Sequence, residues 1–97
     1  MNDNLTITMI QADLAWENKE KNLNNFAKKL KEISEPTDLI VLPEMFNTGF
    51  SMKSTELAEK PDGKSIEWLS DKASEMNCAI VTSLIITENH KYYNRLI

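Results

Sequence analysis

The chain is poor in the residues that usually announce a special chemistry. It has one cysteine, one histidine, two glycines and three prolines in 97 residues, and no long hydrophobic run. A single cysteine, Cys78, cannot close an internal disulfide, which fits a reducing compartment. His90 stands in a polar stretch with no ligand-spaced Cys, His or Asp around it, so it reads as a surface side chain and no metal site is expected. Gln-Ala-Asp-Leu-Ala-Trp, after the first apolar stretch, holds no glycine and is not a phosphate-cradling loop. No apolar run approaches the roughly 20 residues of a membrane span. The opening Met-Asn-Asp-Asn-Leu lacks the charged-then-apolar pattern of a secretory signal. Basic residues are outnumbered, 11 against 15, and form no clustered face, which argues against non-specific nucleic-acid binding. The expectation is a cytoplasmic, soluble single unit that engages neither nucleic acid nor membrane.

What is present is an α/β pattern. Leu5, Ile7 and Met9 alternate with Thr6 and Thr8, a strand signature that runs out near Ala12. Asn18 suits a helix N-cap, and Leu23, Phe26, Ala27, Leu30 and Ile33 fall on one helical stripe. The lysines from Lys19 to Lys31 read as its solvated face. Glu35-Pro36-Thr37 ends the helix, because the residue before proline is pushed out of the α region. A second strand covers Asp38 to Leu42. Lys60-Pro-Asp-Gly63 is a turn, and Ser65 is the expected cap of a helix with Ile66, Leu69, Ala73 and Met76 buried and Asn77 as left-handed C-cap. Cys78 to Ile86 reads as one strand buried on both faces, Glu88 to Lys91 as a polar turn, and Tyr92 to Ile97 as the start of another strand. The order β-α-β-α-β-β implies right-handed crossovers between parallel strands.

The stretch that organises the chain is Asp38-Leu-Ile-Val-Leu-Pro-Glu-Met-Phe-Asn-Thr-Gly-Phe-Ser-Met52. An apolar run of strand length ends at Pro43, which has no N–H for a ladder. It delivers Glu44 to the carboxyl end of the strand, where open α/β sheets place their ligand crevices. Acids in such loops are commonly inert and solvated, so position alone leaves both readings open.

The string Leu-Pro-Glu-Met-Phe followed by Thr-Gly-Phe-Ser-Met resembles the first catalytic segment of the nitrilase, or carbon–nitrogen hydrolase, superfamily, and is most similar to its bacterial ω-amidases. Weaker likenesses flank it: Asn-Leu-Thr-Ile-Thr-Met-Ile-Gln-Ala-Asp-Leu-Ala-Trp looks like the family's first strand and loop. Val-Thr-Ser-Leu-Ile-Ile resembles its third strand, with Thr82 where glycine is frequent, and Tyr-Tyr-Asn-Arg-Leu is similar to the start of its fourth. The resemblance implies the N-terminal part of an α-β-β-α sandwich, with residues 1–97 forming an incomplete first third of one domain. It implies hydrolysis of small non-peptide amides, such as ω-amides of 2-oxo acids, by a Glu-Lys-Cys triad without a cofactor, in an enzyme that forms a homodimer when complete.

On that resemblance Glu44 is the general base, and Phe46, Thr48 and Phe50 are candidate substrate contacts. A base that works near neutral pH needs shielding from water, and Met45, Phe46 and Phe50 are the expected shield. The departures are equally clear. Cys78 is followed by Ala79 and Ile80, where the family nucleophile is followed by an aromatic and an acidic residue, so it reads as a small buried hydrophobe. None of Lys53, Lys60 or Lys64 stands in the family's lysine context. Only one triad member is present, and the 97 residues alone are expected to be inactive. The competing reading is a non-catalytic α/β fragment that acts as a binding or interaction module.

Overall fold

The computed structural model describes residues 5–49 and 54–97, with backbone alone at positions 54 and 55. Strand β1 (Ile7–Met9) leads through helix α1 (Lys19–Lys31) to β2 (Leu39–Val41), followed by a short helix α2 (Ser54–Leu57) and helix α3 (Lys64–Met76). Strands β3 (Ala79–Val81), β4 (Ser83–Glu88) and β5 (Lys91–Leu96) complete the described chain. β1, β2 and β3 form a parallel sheet in that order, and β4 pairs with β5 as an antiparallel hairpin.

Local chemistry sets the helix ends. The Asn18 side chain accepts the Lys21 N–H at 3.1 Å, an N-cap that satisfies an otherwise orphan donor. Lys28, Lys29 and Lys31 crowd the last turn of α1, where the helix dipole favours positive charge. Asn77 closes α3 at φ 52°, as a left-handed C-cap. Ser65 is not the cap of α3, contrary to the sequence expectation. Gly63 occupies that position without a side-chain bond, and Ser65 lies buried in the first turn.

Register explains which strand residues are covered. Thr8, Ile40 and Ile80 align across the sheet, and Ile40 is fully buried among Leu23, Phe26 and Leu30 of α1 and Leu69 of α3. The adjacent rows, Ile7–Leu39–Ala79 and Met9–Val41–Val81, point the other way, because side chains alternate along a strand. On that face Ile7 is 50% and Met9 69% exposed, and Leu39 and Val41 are only half-buried. The central strand is therefore covered on one face, not the two that its unbroken apolar run predicts.

The apolar run from Cys78 to Ile86 is also not one strand. It breaks at Thr82, which bonds Ile97 in both directions, N–H to O at 3.3 Å and O from N–H at 2.9 Å. β3 ends the parallel sheet before this residue, and β4 begins the hairpin after it. The polar turn at the hairpin end has Asn89 at φ 53° and His90 at φ 61°. Positive φ at both central residues is what a two-residue type I′ hairpin turn requires.

Candidate active site

Glu44 follows Pro43 immediately beyond β2, and its side chain is exposed. It faces a cleft of about 350 Å³, lined with it by Val41, Leu42, Val81, Thr82, Ser83, Asn94 and Leu96. The cleft thus lies between the carboxyl end of the parallel sheet and the hairpin, as the strand-end position of Glu44 predicts.

The loop that carries Glu44, residues 43–49, is held from several sides. The Thr82 hydroxyl donates to the Pro43 carbonyl at 2.7 Å, and the Met45 N–H donates to Ser83 Oγ at 3.0 Å. The break between β3 and β4 therefore places two hydroxyls against the residues on either side of Glu44. Met45 itself sits at φ 48°, a left-handed conformation that costs a residue with a Cβ about 1–2 kcal/mol. The Thr48 and Gly49 N–H groups both donate to the Met45 carbonyl, at 3.1 and 2.8 Å, and hold this turn closed. Gly49, at φ 79°, also admits the Trp16 ring: an added Cβ would stand 3.2 Å from Trp16 Cε3.

Two asparagines and one glutamate tie the loop to the helices. The Asn22 carboxamide is buried, donates to the carbonyls of Ala15 and Asn47 at 2.8 Å each, and accepts the Ala15 N–H at 2.7 Å. Asn47 Nδ2 donates to Ser65 Oγ at 2.9 Å and to Glu59 Oε2 at 3.2 Å. The Ser65 hydroxyl donates to the same Oε2 at 2.5 Å, the Ser65 N–H donates to Glu59 Oε1 at 2.7 Å, and Lys19 Nζ reaches Oε2 at 3.1 Å. Glu59 thus supplies from an adjoining loop the cap that Gly63 lacks. Gly63 leaves room for it, since a Cβ there would meet Glu59 Oε1 at 2.8 Å. Burial pushes the Glu59 carboxyl up, but the hydroxyl and N–H of Ser65 and the Lys19 ammonium outweigh it and hold it below the usual carboxylate range.

These contacts change several sequence readings. Lys19 is an ion-pair partner and not simply part of a solvated face. Phe46 is fully buried between Phe26 and Trp68, with ring centroids at 5.6 and 5.5 Å. Thr48 is also fully buried, and its hydroxyl donates to the Gly49 carbonyl at 2.9 Å. Phe50 lies outside the described residues. The expected apolar shield around Glu44 is therefore not formed by Phe46, which packs inward with the core. Asn22 and Glu59 escaped sequence reasoning because polar residues in loops and on helices ordinarily read as solvated, and Ser83 and Asn94 because they fall inside strand patterns that show no partner. Cys78 is only partly buried, packed against the edge of the core; burial pushes its thiol up, Asp38 adds to the effect, and the thiolate is disfavoured.

A carboxylate at a strand end, facing a cleft and carried on a braced loop, is a candidate site at the place where open α/β sheets hold their ligands. The sequence pattern described as carbon-nitrogen hydrolase matches residues 6–97. The chain is 33% identical over 93 residues to "Omega-amidase YafV" of Escherichia coli strain K12, covering 96% of this chain and 36% of that protein. It is 27% identical over 93 residues to "2-oxoglutaramate amidase" of Bacillus subtilis strain 168, covering 94% and 36%. A solved structure, XC1258 from Xanthomonas campestris, a CN-hydrolase superfamily protein with an arsenic adduct in its active site, superposes with a TM-score of 0.89 at 30% identity. That match covers 95% of this chain and 35% of that one.

The chain belongs to the carbon–nitrogen hydrolase (nitrilase) superfamily. Within it the sequence is ω-amidase-like, and the chain spans about a third of the length of the relatives it matches. Among the described residues no helix is long and apolar enough to cross a membrane.

Proposed function

We propose that residues 1–97 are the N-terminal segment of one incomplete carbon–nitrogen hydrolase domain, in which Glu44 serves as general base. The complete enzyme hydrolyses small linear amides, with ω-amides of 2-oxo acids as the substrate class, in the cytoplasm and as a homodimer. The observation that carries this reading is Glu44 at the end of β2, on a loop fixed by Thr82, Ser83, Asn22 and Asn47 and open to a cleft. The names of the amidase relatives support the substrate class.

In this mechanism Glu44 takes the proton of a cysteine thiol supplied by a later part of the domain, and the thiolate attacks the amide carbon. A lysine, also from a later part, stabilises the oxyanion of the tetrahedral intermediate. Collapse breaks the carbon–nitrogen bond; the protonated Glu44 returns its proton to the leaving nitrogen, and ammonia departs from a thioester. Glu44 then deprotonates water, which attacks the thioester to release the acid and restore the thiol. Phe50 and the rim of the cleft are the proposed substrate contacts. Phe46 and Thr48, both fully buried, contribute by packing the loop that carries Glu44 rather than by touching substrate.

A second reading, a non-catalytic interaction module, draws on the open apolar face of the parallel sheet. The intact mass of the protein from its native host separates the two. A mass two to three times 11.1 kDa supports the enzyme, and in that protein Glu44→Gln is expected to lower ammonia release from a 2-oxo acid ω-amide by roughly 10²–10⁴-fold. A native mass near 11.1 kDa without thioester formation makes the interaction module the better reading. Undiminished activity in Glu44→Gln would sink the assignment of the base.

A further inference from the structure

Glu59 lies at a junction that the chemistry of Glu44 does not by itself require. Its carboxylate accepts from Ser65 on α3, from Asn47 in the loop that carries Glu44, and from Lys19 at the start of α1. Its backbone is fastened to the hairpin: the Glu59 N–H donates to the Ile85 carbonyl at 3.0 Å, and the Thr87 N–H donates to the Glu59 carbonyl at 2.8 Å. Helix, loop and hairpin all reference their positions to this one residue.

The charge does something a neutral acceptor would not. Asn47 presents both Nδ2 hydrogens to the cluster, while its buried Oδ1 has no hydrogen-bond partner among the described residues. The opposite orientation of the carboxamide would set Oδ1 against the carboxylate, oxygen to oxygen. An anion at residue 59 therefore selects one orientation of Asn47 even though it leaves an acceptor unpaired. The Asn47 carbonyl, on the same residue, takes the Asn22 bond, so the side chain and backbone of Asn47 are clamped from opposite sides.

We propose that Glu59 is a positioning residue for the candidate base, acting through Asn47 to fix the loop of residues 43–49 and so the direction of Glu44 into the cleft. The proposal rests on the reading of Glu44 as base, and loop order can be measured without that reading. Amide hydrogen exchange of the full chain is the test, with Met45, Thr48 and Gly49 as reporters for the loop and Ser65, Glu67, Phe26 and Leu30 for the helices. Glu59→Gln keeps the size and one acceptor but removes the charge, and it is expected to speed exchange at the three loop amides by about tenfold or more relative to α1. Asn47→Ala is expected to loosen the same amides while leaving the Glu59 cap on Ser65, and hence the start of α3, unchanged.

Unaltered loop exchange in either variant overturns the proposal. So does acceleration spread evenly over α1, α3 and the loop in both variants, which would make Glu59 only a prop of the fold. In the activity-bearing protein, Glu59→Gln is expected to lower kcat with little change in KM. A loosened loop together with undiminished activity in Glu44→Gln would leave the positioning intact and remove the base, so the two failures are distinguishable.

Discussion

The two faces of the parallel sheet are built from similarly apolar strands, yet only one is covered. On the helix side Ile40 is fully buried, with the α1 stripe and Leu69 against it. On the other side Ile7 and Met9 stand largely in water beside half-buried Leu39 and Val41. An unbroken apolar strand records the burial for which the sequence is suited; the cover itself comes from other elements. The covered side also holds the Lys19–Glu59–Ser65–Asn47 cluster, so polar specification and apolar packing are concentrated together there.

The sharpest contrast between the faces is a pair of truncations. Ile40→Ala is expected to cost about 2–5 kcal/mol in urea unfolding, from lost transfer energy and the cavity left behind. Met9→Ala, one residue over in register and on the open side, is expected to change stability by less than about 0.5 kcal/mol. Equal losses would mean that the open face is covered in solution.

Acid should weaken the covered side selectively. The folded-state pKa of Glu59 is lowered, so its contribution is fully present above the ordinary unfolded carboxylate value of about 4.3 and is lost as pH falls through the lower folded value. In that window Glu59→Gln should flatten the fall of stability with pH, by at most about 1.4 kcal/mol per pH unit. An unchanged acid limb would show that the cluster carries no net preference for the charged carboxylate.

The smallest effect on stability is expected on the open face itself. Ile7→Thr with Met9→Thr should leave the unfolding free energy within roughly 0.5 kcal/mol per site. The same pair should raise the concentration at which the chain self-associates by about tenfold, since exposed apolar strand surface drives association. Sedimentation velocity reads this directly, and a wild-type chain that stays monomeric at all concentrations would remove the premise.

What was legible in the sequence was what short-range chemistry decides. Asn18, Asn77 and the polar turn at Asn89–His90 act on neighbours a few residues away, and the two caps and the turn form where expected. The family string around Glu44 was legible for the same reason, being one continuous segment. The break at Thr82 was not, because every residue from Cys78 to Ile86 is compatible with strand, and the switch of sheet depends on Ile97 and on the Pro43 carbonyl. Glu59 was invisible for a related reason: a glutamate in a polar loop reads as solvated until Lys19 and Asn47 arrive from distant parts of the chain. Phe46 does not shield its neighbour Glu44, since adjacency in sequence does not reveal that the turn at Met45 sends the ring to Phe26 and Trp68.

The single-residue step at Thr82 also separates a local pairing from two non-local ones. The β4–β5 hairpin closes over a two-residue turn, a local event on the scale of about 1–10 μs. The β1–β2 and β2–β3 pairings must each wait for an intervening helical segment to bring distant strands together, a slower search. A preformed hairpin would present Ile85 and Thr87 to Glu59 before the parallel sheet is complete.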